Sequence, residues 1–341
     1  MRILLTADPF IPVPPVHYGG IERIIDGLAH EFKQAGHTVG LLAHPESQCD
    51  VHAFFSWPDI TGRKPNWPQH SRTLFQAAGQ FQPDILHSFS RLSYLAPLMW
   101  TPYPKIMSYQ RATGRRNITL FNTLIRNLLF TGCSEYICRQ GRRAGGCWKP
   151  VHNFVPLDQF DFVERVPDDA PLLFLSRIEK IKGAHTAIQI AHASGKKLIL
   201  AGNRVDSPAG LHYWKNHIEP ELDGEMVRYV GAVDDRQKNQ LLGTACALLV
   251  PIEWDEPFGI VFAEALACGT PVISNPRGAL PEIITRPELG CLTGDQKEAV
   301  NAVQHVHRFD RKACREHAMK KFSSVTISKE YLATYKKLME A

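Results

Sequence analysis

The sequence predicts an α/β protein with two Rossmann-like, doubly wound domains. The chain has 341 residues, which is more than one ordinary hydrophobic core accommodates. Short apolar runs alternate with helical patterns throughout, as in parallel sheets with crossover helices. Three prolines and a cluster of acidic residues mark 152–171 as the linker. We therefore expect domains at 1–155 and 156–322, followed by a C-terminal helical segment at 323–341 that packs back toward the first domain.

The predicted strands are short apolar runs, and most are followed by a helical pattern. In the first half, strands are expected at 2–8, 38–44, 84–89, 105–110 and 129–134, with helices at 20–35, 70–81, 115–130 and 135–144. In the second half, strands are expected at 172–177, 197–202, 227–233, 246–251 and 271–274, with helices at 183–193, 234–245 and 258–268. A final amphipathic helix, near 325–340, has no strand after it.

The composition narrows the class of protein. A hydrophobic content of 44% and a charged content of 21% are typical of a soluble globular chain. The eight cysteines form no CxxC pair and no metal-ligand spacing with histidine, so we expect reduced core residues in a cytoplasmic protein. No stretch approaches the roughly 18 apolar residues of a membrane span. The first residues suit a β-strand better than a signal peptide.

Positive charge is concentrated in 101–150, where nine lysines and arginines are set against Glu135 alone. This excess is either a solvated basic face or a surface for an anionic partner; we expect no nucleic acid. Within it, 115–130 carries arginines and an apolar stripe at helical spacing, formed by Ile118, Phe121, Ile125 and Leu128. The stripe either covers the first sheet or lies on an anionic membrane, which would make the protein peripheral to the inner membrane face.

The strand-to-helix turns are the candidate sites, because ligands of open parallel sheets bind at the carboxyl ends of the strands. In the first domain, Gly19 and Gly20 open a helix whose free amides favour an anion, although a simple tight turn explains them too. In the second domain, Arg177 and Lys182 lie beside a helix N-terminus and suit a diphosphate, with surface salt bridges as the alternative.

Two further turns of the second domain are weaker candidates. The strand ending at Gly202 and Asn203 has small or polar residues where a ligand can lie against the backbone. The next strand ends at Gly231, and its backbone groups as far as Val233 can meet the edge of a base. Any well-formed α/β protein contains such turns.

Glu256 and Glu264 lie eight residues apart in an otherwise apolar run, and buried carboxylates need polar partners. Between them, Phe258, Gly259 and Ile260 present free amides at a helix N-terminus. The two carboxylates would be roughly 12 Å apart in a continuous helix, farther than the roughly 5 to 9.5 Å of a glycosidase pair. The spacing favours two ends of one nucleotide diphosphate sugar, with Glu264 on the ribose and Glu256 on the second sugar.

These motifs resemble those of family 4 of the retaining glycosyltransferases, which have the GT-B architecture of two Rossmann-like domains facing a central cleft. The matching elements are Y-G-G-I-E-R at 18–23, S-R-I-E-K-I-K-G at 176–183, V-G-A-V at 230–233 and W-D-E-P-F-G-I-V-F-A-E-A-L-A-C-G-T-P-V-I at 254–273. The last contains the E-x7-E element of the family in full. The resemblance covers nearly the whole chain.

The resemblance implies a retaining hexosyltransferase. It would move a sugar from a nucleotide diphosphate sugar, a UDP-sugar by the commonest usage of the family, to an acceptor hydroxyl in glycan, glycolipid or natural-product synthesis. Arg177 and Lys182 would stabilise the leaving diphosphate, Glu256 would hold the donor sugar and Glu264 the ribose.

The remaining implied contacts are made by backbone. Gly19 and Gly20 would approach the phosphate from the first domain, and the amides of 258–260 would lie beside the sugar. Members of the family mostly need no metal, and the chain has no D-x-D element, so we expect no metal and no cofactor besides the sugar nucleotide.

One position departs from the family. Many relatives end the strand corresponding to 105–110 with a histidine near the sugar, whereas this strand ends with Gln110 and is followed by Arg111. Glutamine can hydrogen-bond a sugar hydroxyl but cannot titrate, and Arg111 could add positive charge. His87, at the end of another strand, is the nearest alternative, unless its ring is satisfied within the core.

Three other functions fit parts of the pattern. A UDP-sugar 2-epimerase shares the architecture and the donor but needs no acceptor. A sugar phosphorylase would need a lysine that carries pyridoxal phosphate. A non-catalytic protein that binds sugar nucleotides is the third alternative, suggested by Gln110.

Overall fold

The computed structural model describes residues 1–15, 19–58, 66–112 and 114–340, and the side chain of Arg115 lies outside this description. Tyr18 of the Y-G-G-I-E-R motif falls in the first gap. Contacts between Cα atoms group the chain into two compact units. One consists of Met1–Phe154 together with Ser324–Ala341, and the other of Val155–Ser323.

The first unit is built on a seven-stranded parallel sheet. Its strands are β1 (Arg2–Thr6), β2 (Thr38–Ala43), β3 (Ala53–Ser56), β4 (Ile85–Ser88), β5 (Lys105–Tyr109), β6 (Leu128–Gly132) and β7 (Trp148–Pro150). They lie in the order β3-β2-β1-β4-β5-β6-β7. Apart from the exposed Arg2, the residues of β1 are buried, as expected of a strand covered on both faces. Since β1 pairs with both β2 and β4, the sheet grows in opposite directions from β1.

In the described part of this unit, four helices connect these strands. They are α1 (Gly20–Gln34), α2 (Trp67–Phe81), α3 (Arg115–Leu124) and α4 (Glu135–Arg142). The apolar face of α1, with Ile24, Leu28 and Phe32, is buried in the core of the unit. The side chain of Ser134 caps α4 by accepting a hydrogen bond from the amide of Ile137.

The second unit is built on a six-stranded parallel sheet. Its strands are β8 (Leu172–Leu175), β9 (Leu198–Ala201), β10 (Val227–Gly231), β11 (Ala247–Val250), β12 (Val272–Ser274) and β13 (Gly290–Leu292). Their order is β10-β9-β8-β11-β12-β13. The chain therefore adds strands on one side of β8 and then returns to its other side at β11. The gap between the carboxyl ends of β8 and β11 is the topological switch point of this sheet.

The helices of the second unit are α5 (Ala184–Ser194), α6 (Pro208–His217), α7 (Asp235–Thr244), α8 (Ile260–Ala267), α9 (Leu280–Ile283), α10 (Gln296–Gln304) and α11 (Arg311–Phe322). Short 3₁₀ turns occur at Leu92–Leu98, Leu157–Gln159, Lys180–Lys182, Glu219–Glu221, Pro287–Leu289 and Val306–Arg308.

The last helix, α12 (Ser324–Glu340), belongs to the first unit. Its Tyr335 ring lies 5.6 Å from the ring of Phe32 on α1, and the Ser324 hydroxyl donates a 2.6 Å hydrogen bond to Glu31. Tyr331 and Tyr335 are both buried in the core beside α1.

The ten predicted strands are present and each is shorter than predicted, although β6 begins one residue earlier, at Leu128. The prediction omitted the edge strands β3, β7 and β13. It also omitted α6, α9, α10 and α11. The predicted helix 115–130 is wrong beyond Leu124, because Ile125 is extended, Asn127 has a φ of 53°, and β6 starts at Leu128. The boundary between the two units, at Phe154/Val155, falls within the predicted linker 152–171. The residues after this boundary belong to the second unit, and Val155 and Phe160 among them are buried.

Candidate functional site

Two predicted site residues meet at the switch point of the second sheet. Lys182 ends the 3₁₀ turn that follows β8, and Glu256 lies on the loop after β11. The ammonium of Lys182 donates a 2.6 Å hydrogen bond to Glu256 Oε2. Only 11% and 15% of the two side chains are exposed, so the charges are largely shielded from water. Two residues that are 74 positions apart in the sequence therefore form one ion pair in the folded chain.

Trp254 completes this pair and was missed from the sequence. Its indole Nε1 donates a 2.9 Å hydrogen bond to the same oxygen, Glu256 Oε2. Its ring centroid lies 5.2 Å from the ammonium of Lys182. Trp254 therefore touches both charged partners, and it stands two residues before Glu256 in the matching motif, where the sequence could have indicated it.

Two glycines with positive φ fix the backbone around Glu256. Gly278 has a φ of 58°, and a Cβ there would lie 2.2 Å from the carbonyl oxygen and 2.4 Å from the nitrogen of Glu256. The next amide, of Ala279, donates a 2.9 Å hydrogen bond to that carbonyl oxygen. Gly259, with a φ of 84°, precedes α8, and a Cβ there would lie 2.5 Å from the ring of Phe262. Glycine is required at both positions because backbone and ring approach so closely.

Helix N-termini lie beside the pair. Gly183 precedes α5 with a φ of 78°, and a Cβ there would lie 2.1 Å from the carbonyl oxygen of Pro251. The amides of Gly259 and Ile260 open α8 and meet no acceptor in the part of the chain that the structure describes. The side chain of Phe258 is buried and packs 5.7 Å from the ring of Phe322. A cation between two helix N-termini is an arrangement that can bind an anion such as phosphate.

Arg177 is not part of the ion pair. Its guanidinium is half-exposed and lies 2.7 Å from the carboxylate of Glu179. The same turn is closed by the amide of Lys182, which donates to the carbonyl oxygen of Glu179. Arg177 and Lys182 therefore lie on the same turn, as predicted, but no contact between their side chains is described.

Glu264 lies on α8 with 9% of the residue exposed, and it has a partner that the prediction missed. The ammonium of Lys238, on α7, donates a 2.7 Å hydrogen bond to Glu264 Oε1 and lies 3.3 Å from Asp235 Oδ1. Burial lowers the pKa of Lys238, but attraction by Glu264 and Asp235 outweighs it, so the pKa lies above its ordinary value. Lys238 is therefore a charged partner of Glu264.

The two weaker turns follow the neighbouring strands β9 and β10. The amide of Gly202 donates to the carbonyl oxygen of Gly231, and the hydroxyl of Tyr229 donates to that of Gly202. A Cβ on Gly202 would lie 1.9 Å from the carbonyl oxygen of Ser176, so this glycine lets two strand ends approach. Asn203 is exposed and Val233 half-buried, which leaves both accessible at the same edge of the sheet.

In the first unit, acidic side chains lie beside the predicted glycines. A Cβ on Gly19 would lie 2.6 Å from Pro15 and 2.8 Å from Glu22 Oε2, and Gly20 begins α1. Burial raises the pKa of Glu22, and the nearby charge of Asp8 adds to this. Burial raises the pKa of Asp8 too, against the attraction of Arg91 at 3.6 Å. None of these three charged residues was singled out from the sequence.

The three candidates in the first unit have different surroundings. The side-chain oxygen of Gln110 is buried and meets no donor among the described residues, whereas Arg111 is exposed. His87 is fully buried, and its Nδ1 and Nε2 each share a 2.6 Å hydrogen bond, with the hydroxyls of Tyr335 and Ser108. Burial lowers the pKa of His87 to about 3. Both ring nitrogens of His87 are thus hydrogen-bonded within the core. This corrects the prediction that His87 could contact a ligand.

Within 1–15, 19–58, 66–112 and 114–340, no three histidine, cysteine, aspartate or glutamate side chains are grouped as metal ligands would be. No helix in those ranges is long and apolar enough to cross a membrane.

Two family models together match most of the chain. The model of Glycosyltransferase Family 4 matches residues 18–155, which include the glycine turn and Gln110. The model of Glycosyl transferases group 1 matches residues 158–321, which include the Lys182–Glu256 pair and Glu264.

Known proteins resemble the chain over different lengths. An uncharacterized 41.2 kDa protein in the cps region of Klebsiella pneumoniae is 29% identical over 55% of this chain, which spans 54% of that protein. Glycogen synthase of Mycobacterium tuberculosis is 29% identical over 90% of this chain and 86% of its own length. The crystal structure of Anabaena HepE in complex with UDP and glucose, 19% identical, covers 99% of this chain and 100% of its own with a TM-score of 0.73.

Proposed function

Since the chain belongs to the group 1 glycosyltransferases of family 4 and has the GT-B fold, we propose that it transfers a hexose, with retention, from a UDP-sugar to an acceptor hydroxyl. The sugar transfer itself follows from the family, and the donor, the stereochemistry and the residue roles are the proposal. The single observation that carries these roles is the Lys182–Glu256 ion pair at the switch point, where ligands of such sheets bind.

The roles follow from charge and position. Lys182, between the N-termini of α5 and α8, would neutralise the diphosphate as it leaves, with Arg177 as a second cation on the same turn. Glu256 would exchange part of its bond to Lys182 for hydroxyls of the donor sugar. Glu264, on the helix α8 that follows Glu256, would accept hydrogen bonds from the ribose.

The reaction would take place on one face of the sugar. The bond from the anomeric carbon to the diphosphate oxygen breaks, and the acceptor oxygen bonds to that carbon from the same side. The proton of the acceptor hydroxyl passes to the departing phosphate oxygen. This scheme needs no general base from the first unit, which is compatible with glutamine at position 110.

The test begins with thermal shifts in the presence of UDP-, ADP- and GDP-sugars, because a ligand that binds the native state stabilises it by mass action. The sugar nucleotide with the largest shift is then incubated with candidate acceptors, and the anomeric configuration of the product is read by NMR. Donor incubated alone is the control, since formation of an epimer would point to an epimerase. Binding without turnover on any acceptor would favour a non-catalytic role, and an inverted product would contradict retention.

We also propose an anionic membrane as the surface on which the first unit works. The predicted stripe does not serve this purpose, because Ile118 and Ile125 are buried. Exposed apolar side chains lie elsewhere in the first unit. Leu120 and Leu124 on α3 are 54% and 41% exposed, and Trp100, which precedes β5, is 77% exposed.

Exposed arginines accompany these side chains. Arg116 lies one turn before Leu120 on α3, and the amide of Arg126 donates a 3.1 Å hydrogen bond to the carbonyl oxygen of Met99, next to Trp100. Apolar and aromatic side chains beside arginines suit the interface of an anionic bilayer.

Co-sedimentation with phosphatidylcholine vesicles, with and without phosphatidylglycerol, tests this surface. Binding should require phosphatidylglycerol, fall with added salt and fall further in Trp100→Ser and in Arg116→Gln/Arg126→Gln. Arg228→Gln, which removes an exposed arginine from the second unit, is the matched control and should bind like wild type. The proposal would be contradicted if binding were the same with and without phosphatidylglycerol. It would also be contradicted if Arg228→Gln reduced binding as much as the other variants do.

A further inference from the structure

Lys238 is a partly buried cation, with 20% of its side chain exposed, and it has no role in the chemistry described above. Its ammonium donates 2.7 Å to Glu264 Oε1, lies 3.3 Å from Asp235 Oδ1 and is 5.2 Å from the centroid of the Phe160 ring. Carboxylates and an aromatic face thus surround one ammonium group, which has three N–H donors to direct. Lys238 is therefore confined to one position.

The backbone that carries Lys238 is also fixed. Asp234 and Gln237 form a capping box at the start of α7, and the amide of Lys238 donates a 2.8 Å hydrogen bond to the carbonyl oxygen of Asp234. The neighbouring Asn239 links α7 to Asp161 through a 2.7 Å hydrogen bond. A residue with a rigid backbone and a confined side chain can hold the group it contacts.

The contact leaves one oxygen of Glu264 for another partner. Lys238 takes Oε1, and no donor among the described residues reaches Oε2. A glutamate has three side-chain torsions, and each rotamer that it loses on binding costs free energy. A carboxylate already held by Lys238 would lose less rotamer freedom when it binds a pair of hydroxyls.

We propose that Lys238 is a positioning residue that aims Glu264 at the ribose diol of the donor and makes the enzyme select ribonucleotide over deoxyribonucleotide donors. The inference rests on the proposed role of Glu264 in binding the ribose. Lys238 acts through Glu264 and touches neither the sugar nor the diphosphate. Selection arises because a carboxylate fixed by Lys238 loses the hydrogen bonds from the ribose when the hydroxyls are missing, and it cannot turn to another partner.

The experiment compares binding of nucleoside diphosphates by calorimetry. UDP, ADP and GDP are each compared with the 2′,3′-dideoxy analogue that carries the same base. The base whose ribonucleotide binds most tightly to the wild-type protein is then used for all variants. In wild-type protein the ribonucleotide should bind at least about tenfold more tightly than its analogue, as expected for hydrogen bonds to a charged group.

Lys238→Met should weaken the ribonucleotide about tenfold and leave the dideoxy analogue within about twofold of wild type. With a sugar nucleotide, KM for the donor should rise while kcat stays within about threefold. Lys238→Arg, which keeps the cation, should retain most of the selectivity. Lys297→Met, an exposed lysine on α10, is the matched control and should behave as wild type.

The outcomes separate the two levels of the proposal. Wild-type protein that binds none of the ribonucleotides would overturn both the donor class and the role of Lys238. Wild-type protein that selects the ribonucleotide, with equal loss of both ligands in Lys238→Met, would overturn the role of Lys238 alone, since a merely structural lysine weakens both. If Lys238→Met does not fold, Lys238→Gln is measured in the same way, and unchanged selectivity there overturns the proposal.

Discussion

Lys182 and Glu256 are joined by a 2.6 Å hydrogen bond between an ammonium and a carboxylate on turns that follow two neighbouring strands. Both side chains are largely shielded from water, so each depends on the other for charge compensation. A substrate that binds here has to share this pair.

Lys182→Met should reduce transfer by about 100-fold or more if, as proposed, this ammonium neutralises the leaving diphosphate. Steady-state kinetics with the donor found by thermal shift would measure this. Lys180→Met, which removes an exposed lysine from the same turn, is the control and should stay within about threefold of wild type. Equal activity of both variants would refute the role of Lys182.

The same variant should be less stable than one that lacks both charges. Lys182→Met alone leaves Glu256 without its counter-charge and should lower the free energy of unfolding by roughly 3 kcal/mol. Lys182→Met combined with Glu256→Gln should recover part of that loss, because no buried charge is left without a partner. Urea unfolding of the two single variants and the double variant gives the coupling; purely additive losses would contradict it.

Trp254→Phe should lower kcat/KM for the donor by about tenfold, since it removes the indole N–H that holds Glu256 Oε2 and keeps most of the ring. Trp254→Ala, which removes the contact with Lys182 as well, should be more severe. The two variants assayed together separate the hydrogen bond from the ring. Full activity in Trp254→Phe would show that the N–H does not position Glu256.

Gly278→Ala should displace Glu256 and abolish most of the activity, because its Cβ would lie 2.2 Å from the carbonyl oxygen of Glu256. Gly224→Ala is a matched control, with a φ of 80° and no atom within 4 Å of the added Cβ. Both variants carry the strain of a positive φ, about 1 kcal/mol, but only Gly278→Ala adds the clash. Equal activity and equal unfolding midpoints for the pair would rule out the clash as the cause.

His87 should make the stability of the protein depend on pH. Its pKa is lowered to about 3 by burial, below the ordinary value of 6.5, so between these values the unfolded chain binds a proton that the folded chain does not. Stability is therefore lost as the pH falls from about 6.5 toward 3. Between pH 7.5 and pH 5, wild type should lose about 2 kcal/mol that His87→Gln does not lose. Urea titrations at the two pH values measure the difference, and parallel losses would exclude His87 as its source.

The predicted fold class and family are confirmed, and the physical reason is visible in particular elements. β1 and β11 are buried apolar runs, so their hydrophobicity alone indicates strands. α11 was missed because its buried residues are Cys314, His317, Ala318 and Phe322, so only one large apolar side chain marks the buried face of a helix rich in lysine and arginine. β13 was missed because three residues give no periodicity.

The site was predicted unevenly for a similar reason. Lys182, Glu256 and Glu264 stand at strand ends or in a long motif, where sequence patterns locate them. Lys238 is 26 positions from Glu264, and only the packing of α7 beside α8 brings the two together. Asp8 likewise precedes Glu22 by 14 positions, and the fold of the first unit brings its charge close enough to act on Glu22.

The second unit begins and ends at the same place. The amide of Val155 donates a 2.7 Å hydrogen bond to the carbonyl oxygen of Phe322, and Val155 is bridged to Ser323. A stop codon after residue 323 would therefore delete nothing from the unit it follows. It would instead remove Tyr331 and Tyr335 from the core of the first unit, including the hydroxyl bound to His87. Loss of α12 would therefore weaken the unit whose sheet is built from Met1–Phe154.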